Sequence, residues 1–294
     1  MNKHAFLIIA HNNFGILEKT ITLLDDSKND FYIHIDKKVK NFDFDKFKSL
    51  PRKSNIFFVD RSSINWGGYS QIKCELTLLK AAIKREYSYY HLISGVDMPI
   101  KSRDEIFNFF ELNAGKEFVH FSKKEDFHSG VYERFNKYHF LQEHCKSNYL
   151  ISQIEKALLK AQEFLGINRN KNRDIEFGFG SNWFSITNEL ASYVVSNEKL
   201  ICKLYKNSVC CDEIFLQTLV LNSDFKNHLF YMNNDGDYYS CVRFIDWKRG
   251  NPYVFKKGDY NDLMNSKCMF ARKFDLSVDE DIVNLIFNNL NREA

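Results

Sequence analysis

Cys210-Cys211-Asp212-Glu213 sets two adjacent carboxylates at the head of the short apolar run Ile214-Phe215-Leu216. A helix starting there would carry Asp212 at its N-cap and Glu213 in its first turn, where the amide dipoles favour negative charge. Taken alone, such a pair is ordinary helix capping. It is also a way to hold one carboxylate ionised for work as a general base. Hydrolysis between two flanking carboxylates fits less well, because adjacent residues on a helix point in different directions. Cations gather later in the chain, at Arg243, at Lys248-Arg249 and at Arg272-Lys273.

A second set of polar residues follows apolar runs. Residues 6–10, 31–35, 56–59 and 89–93 are short, apolar and rich in β-branched or aromatic side chains, as buried strands are. Ile16, Leu17, Ile21 and Leu24, and then Ile72, Leu76, Leu79 and Ile83, recur at helical spacing between them. Strand and helix in alternation predict a parallel α/β sheet. Ligands bind such sheets beyond the carboxyl ends of the strands. His11, Asp36, Arg61 and the segment Ser94-Gly95-Val96-Asp97 occupy those ends in four successive positions, so they are predicted to converge on one crevice. No GxGxxG or GxxxxGK[ST] follows any of these strands, which removes the main support for a dinucleotide site or a P-loop. Gly67-Gly68 reads as a turn before a helix starting near Ser70.

The remainder must position these groups. Ser102-Arg103-Asp104-Glu105 has capping-box form, and residues 117–121 read as a strand. Residues 122–149 lack periodicity and read as a long loop with short helices. Leu150, Ile151, Ile154, Leu158 and Leu165 then form a helical stripe, read as core packing. The polar run 168–173 is a flexible break without being a domain boundary. A strand over 183–186, a helix from Thr187-Asn188-Glu189, a tyrosine-rich strand over 238–247 and a closing helix capped at Ser277-Val278-Asp279-Glu280 complete the chain.

Bulk properties narrow the class. At 294 residues, 44% hydrophobic with 28 Phe and 15 Tyr, the chain has ample material for one large core. A net charge of +3 provides no long-range field for nucleic acid. Seven cysteines without a CxxC spacing argue against a disulfide framework and a zinc ribbon, and for a reducing compartment. The apolar stretch 5–10 is too short for a signal-peptide core or a membrane span. The expectation is a soluble cytoplasmic protein, with basic surface available for peripheral contact with the cytoplasmic face of a membrane.

Several of these segments match a known family when taken together. They are Leu7-Ile8-Ile9-Ala10-His11, Tyr32-Ile33-His34-Ile35-Asp36-Lys37-Lys38, Val59 to Arg61 leading to Trp66-Gly67-Gly68-Tyr69-Ser70, His91 to Lys101, Gly180-Ser181-Asn182-Trp183-Phe184, Asp212-Glu213 and Phe270-Ala271-Arg272-Lys273-Phe274. In this order the chain resembles the core-2/I-branching β-1,6-N-acetylglucosaminyltransferases and the related peptide O-xylosyltransferases, whose bacterial members are small cytoplasmic proteins. The resemblance implies a GT-A-like fold, a single Rossmann-type nucleotide-sugar-binding domain over 1–294 with a mostly parallel central sheet. Its nucleotide-binding part would be about 1–121 and its acceptor and catalytic part about 122–294.

The resemblance also implies roles. His11, Asp36 and Arg61 would lie near the nucleotide, and Ser94, Gly95 and Asp97 where other GT-A enzymes carry a metal-binding Asp-x-Asp. Asp43-Phe44-Asp45 and Asp235-Gly236-Asp237 have that spacing but follow no strand of the crevice, and read as solvated turns. No metal and no cofactor is expected, only a UDP-sugar donor and a glycan or lipid-linked oligosaccharide acceptor. Arg272 and Lys273, and more weakly Arg249, would neutralise the departing diphosphate. Glu213 would be the base of an inverting displacement. Trp183, Trp247, Arg134 and Glu125 are the acceptor-side candidates. N-acetylglucosamine is the leading donor sugar; xylose, galactose, glucose and a non-catalytic glycan-binding role are the alternatives.

Overall fold

The computed structural model describes residues 2–123, 125, 129–171, 173–231 and 238–292. Its first half alternates as the apolar runs require: β1 (His4–Ala10), α1 (Phe14–Leu24), β2 (Asn29–Ile35), α2 (Phe44–Lys48), β3 (Asn55–Phe58), α3 (Tyr69–Ala82), β4 (Tyr89–Ser94), β5 (Met98–Pro99), α4 (Arg103–Leu112) and β6 (Phe118–Val119). Three helices follow without a strand between them, α5 (Ser129–Asn136), α6 (Gln142–Cys145) and α7 (Tyr149–Phe164). The chain then continues through β7 (Phe184–Thr187), α8 (Asn188–Ser196), α9 (Glu198–Tyr205), α10 (Phe215–Leu221), β8 (Arg243–Ile245), α11 (Tyr260–Asn265), β9 (Phe270–Arg272) and α12 (Glu280–Arg292).

The main sheet runs β3-β2-β1-β4-β7-β6, with β1, β2, β3 and β4 parallel and β7 reversed against both its neighbours. It is therefore mostly parallel, as the alternation of strand and helix predicts. Both of its faces are covered. Ala5 and Leu7 pack on one side with α3, while Phe6, Ile8 and Ala10 pack on the other with α1, so β1 reads as an unbroken apolar run. The order turns back between β1 and β4, and that is where ligands of such sheets bind.

A small sheet, β5-β9-β8, leans on this edge. Pairing of Met98 with Ala271 and of Pro99 with Phe270 brings the cationic end of β9 to the loop after β4. Arg243 fastens the two sheets. Its buried guanidinium donates to the carbonyls of Leu92 and Phe184, at 3.1 and 2.8 Å, and to that of Cys241 at 2.7 Å.

Three local readings change. The tyrosine-rich strand is only Arg243–Ile245, because Tyr238–Cys241 is a 3-10 turn and Val242 takes a positive φ of 54° that no strand tolerates. Asp279 rather than Ser277 caps α12, accepting from the Ile282 amide at 3.0 Å, while Ser277 turns to Asp275. Asp212 is not the cap of α10. Cys211–Glu213 is a separate 3-10 turn, and α10 starts at Phe215.

Candidate active site

The end of β4 is the most tightly specified part of the crevice. Asp97 accepts from the Ser94 amide at 2.8 Å, from the Ser94 hydroxyl at 2.6 Å and from Arg272 Nη1 at 2.8 Å. The Arg272 guanidinium lies over the indole of Trp183, 4.5 Å from its centroid. Trp183, an acceptor-side candidate, is thus placed directly beside the Arg272–Asp97 pair. The indole is only 7% exposed and one face is covered by a cation, so it acts as a platform for Arg272. Gly95 is needed here because a Cβ would stand 2.7 Å from that of Ala10. The next residue of β1's end, His11, is exposed; its imidazole is held below its ordinary pKa by desolvation, with Asp36 opposing and Arg272 and Lys38 adding to the effect.

Asp36 and Arg61 shape the neighbouring loops. The buried Asp36 carboxylate accepts from the Lys38 amide at 2.8 Å and the Ile64 amide at 3.3 Å. Arg61 spends its donors on carbonyls, Ile35 at 3.1 Å, Asp36 at 2.8 Å and Val39. Both therefore fix the backbone of the strand ends by hydrogen bonds within the protein. Asp43 caps α2 by accepting from the Lys46 amide at 2.9 Å and Asp45 lies in the first turn of that helix, so the segment read as a solvated turn instead starts a short helix. Asp235-Gly236-Asp237 lies outside the described residues. Among the described residues, no group of three or more His, Cys, Asp or Glu side chains could hold a metal ion.

Glu213 projects from the 3-10 turn with Arg134 of α5 against it, Nη1 to Oε2 at 2.7 Å. Desolvation pushes its carboxyl above the ordinary range, and the guanidinium pulls it back. Asp212 points the other way into the protein, accepting from Gln71 Nε2 at 2.8 Å. Burial, with Glu213 adding repulsion, pushes Asp212 up to about 7. One turn further along α3 lies Glu75, fully enclosed and raised well above the usual carboxylate range by burial first and by Asp212 second; Asn182 opposes the shift as a hydrogen-bond partner.

The Gly178-to-Trp183 segment joins the two ends of the site. The Gly180 amide donates to the Glu213 carbonyl at 2.9 Å, and Gln217 of α10 donates to the carbonyls of Ser181 and His120, at 2.7 and 3.2 Å. Gly180 has no room for a side chain, since a Cβ would lie 1.9 Å from the His120 oxygen. On the far side, Cys210 donates to the Gly67 carbonyl at 2.9 Å, and Lys38 reaches Asn65 at 2.7 Å. Contacts thus run from Asp36 through residues 64–71 to Asp212 and Glu213, and on through Gly180 and Trp183 to Arg272 and Asp97; His11 feels the charges of both Arg272 and Asp36.

Lys273 follows Arg272 on the small sheet, half-buried, with its carbonyl accepting from the Phe255 amide at 3.0 Å. Arg249, the weaker candidate for the leaving-group side, is held by other side chains. It pairs with Asp246 at 2.5 Å and Asp259 at 2.7 Å, and lies over Tyr253 at 4.1 Å, so two carboxylates already answer its charge. Trp247 and Glu125 are exposed.

Sequence reasoning passes over Gln71 and Glu75, and reads Arg243 only as one of three cationic places, not as a buried scaffold group. Glu75 had a readable signal, a carboxylate falling on the apolar face that Ile72 and Leu79 define on α3. Arg243 had none, since a lone arginine in a cationic stretch reads as surface.

An α/β domain with a polar crevice at its parallel strand ends, a desolvated carboxylate on one side and a guanidinium on the other, is the class that fold and site define. The chain belongs to the Core-2/I-branching enzyme family, whose model matches residues 4–268. It is 25% identical to xylosyltransferase sqv-6 of Caenorhabditis elegans over 86% of this chain and 32% of that protein. It is 22% identical to a xylosyltransferase of Ciona intestinalis over 95% of this chain and 33% of that protein. With the beta-1,3-galactosyl-O-glycosyl-glycoprotein beta-1,6-N-acetylglucosaminyltransferase of Bos taurus it shares 22% identity over 99% of this chain and 70% of that protein. The chain thus spans about a third of the length of the xylosyltransferases it matches. Among solved structures, apo mouse xyloside xylosyltransferase 1 aligns over 92% of this chain and 97% of that one, at 11% identity and a TM-score of 0.40.

Proposed function

We propose that this chain is an inverting, metal-independent glycosyltransferase. It moves a sugar, with N-acetylglucosamine the leading donor sugar, from a UDP-sugar to a glycan hydroxyl in the synthesis of a bacterial surface polysaccharide or lipooligosaccharide. The observation that carries the reading is the Glu213–Arg134 pair, a desolvated carboxylate still held by a cation. In one displacement the acceptor oxygen bonds to the anomeric carbon as its proton passes to Glu213. The bond from that carbon to the diphosphate breaks on the opposite face, and UDP leaves with the electron pair. Arg272 and Lys273 neutralise the charge that UDP carries away.

Metal independence is supported by Asp97, the strand-end acid nearest in place to a metal-binding pair. Its oxygens already accept three hydrogen bonds, one from a guanidinium. Full UDP release in excess EDTA would agree with this reading; loss of activity restored by Mn²⁺ would overturn it.

Xylose is the second donor reading, favoured by the relatives named xylosyltransferases. A thermal-shift panel of UDP-GlcNAc, UDP-Xyl, UDP-Gal and UDP-Glc separates the two, since a ligand that binds only the folded state raises the melting temperature. A protein that binds glycans without transferring sugar would release no UDP with any of them.

A further inference from the structure

Helix α7 turns its apolar residues outward. Leu150, Ile154 and Phe164 are 70%, 54% and 90% exposed, and Tyr149, Leu158 and Leu165 are exposed beside them. Of the sequence stripe read as core packing, Leu150, Ile154, Leu158 and Leu165 are therefore surface, and Ile151 is half-buried. The buried face holds Glu155 and Gln162 instead. Gln162 accepts from the Tyr138 amide at 2.7 Å and donates to the Tyr138 carbonyl at 2.9 Å. Glu155 accepts from the Leu141 amide at 3.1 Å and stands 3.6 Å from His139. These contacts fix the rotation of the helix, because half a turn would bury the leucines only by stripping both polar groups of their partners.

At helical pitch, Leu150, Ile154, Leu158, Phe164 and Leu165 fall within an arc of roughly 120°. Gln153, Lys156 and Lys160 line one flank of that arc. Residues 146–171 contain five Lys and Arg against two Asp and Glu. Of the two acids, Glu155 is buried and Glu163 lies 3.8 Å from Lys137. Lys146 sits over the exposed indole of Trp66 at 4.7 Å. An apolar stripe edged by lysines, with aromatics beside it, has the composition of a helix that lies in the interfacial plane of an anionic bilayer. A second copy of this chain fits less well, since antiparallel pairing of two such faces sets each lysine flank against its own counterpart.

We propose that α7 docks the protein on an anionic lipid surface, its stripe at the boundary of headgroups and acyl chains and Lys156 and Lys160 on lipid phosphates. The helix packs on residues 137–141, which directly follow the helix α5 that bears Arg134, so docking brings the acceptor side of the crevice toward the bilayer. That consequence rests on the transferase reading; the docking does not.

Cosedimentation with phosphatidylcholine vesicles, alone or mixed about three to one with phosphatidylglycerol, tests it without donor or acceptor. The expected result is binding to the mixed vesicles roughly tenfold or more above binding to phosphatidylcholine, weakened by salt. The variants Leu150→Ser/Ile154→Ser/Phe164→Ser and Lys156→Glu/Lys160→Glu should each lose roughly tenfold, with unchanged melting temperature and UDP release. Equal binding to both vesicles, or a serine variant that binds like the wild type, would overturn the proposal. So would a dimer, seen by sedimentation, that the serine variant abolishes while neither protein binds lipid.

Discussion

Arg272 and Asp97 form an ion pair of 2.8 Å between the small sheet and the end of β4, and the guanidinium that makes it also covers Trp183. A lysine at this position cannot donate to Ser94 and Asp97 while lying flat on an indole. Arg272→Lys should lower kcat/KM by roughly a hundredfold with a folded protein by circular dichroism. A change within about twofold would remove Arg272 from the diphosphate side.

Arg134 pulls the Glu213 carboxyl back down against its desolvation. Removing it raises the pKa of the Glu213 carboxyl further, so less of it is ionised at a given pH. In Arg134→Ala the acid limb of the kcat/KM profile should move to higher pH, with partial recovery of activity in alkaline buffer. An unmoved limb would mean that Arg134 and Glu213 do not act together.

Glu75 titrates in the unfolded chain near 4.5 and resists ionising in the folded one. Above about 4.5 the unfolded state binds fewer protons than the folded one, so stability falls as pH rises toward the raised pKa of the folded group. Asp212 and Glu117, both raised by burial to about 7, bend the curve the same way. Glu75→Gln, which stays neutral, should flatten the decline in melting temperature between pH 5 and 8. Parallel curves for variant and wild type would show that Glu75 is not the group responsible.

Gly180 has backbone where a side chain would go. Gly180→Ala must push the segment off His120, with a cost of roughly 2–4 kcal/mol measured by urea unfolding. It should also disturb Glu213, whose carbonyl accepts from the Gly180 amide. Wild-type stability would show that this segment yields more easily than its packing suggests.

Periodicity made the first half of the fold legible. Residues 6–10 and 89–93 are apolar without alternation because helices cover both faces of a parallel sheet, and the strand-end residues follow from that alone. The second half resisted for identifiable reasons. Helix α7 carries an apolar stripe that periodicity assigns inward, while its orientation is set by hydrogen bonds of Glu155 and Gln162 to a distant loop. Arg243 reads as a surface cation and lies in the core because four acceptors on three segments converge on it. Charges such as Arg249 and Trp183's covering guanidinium were visible as residue types, but their partners are set by tertiary approach, which spacing along the chain does not encode.

The general-base role of Glu213 is the centre of the account, and UDP release by Glu213→Gln against the wild type, with the preferred donor and an acceptor at saturation, tests it most directly. The glutamine keeps the shape and can accept from Arg134 but cannot take a proton, so turnover should fall by about a hundredfold or more while donor-induced thermal stabilisation is retained. Equal turnover of the two proteins would contradict the assignment.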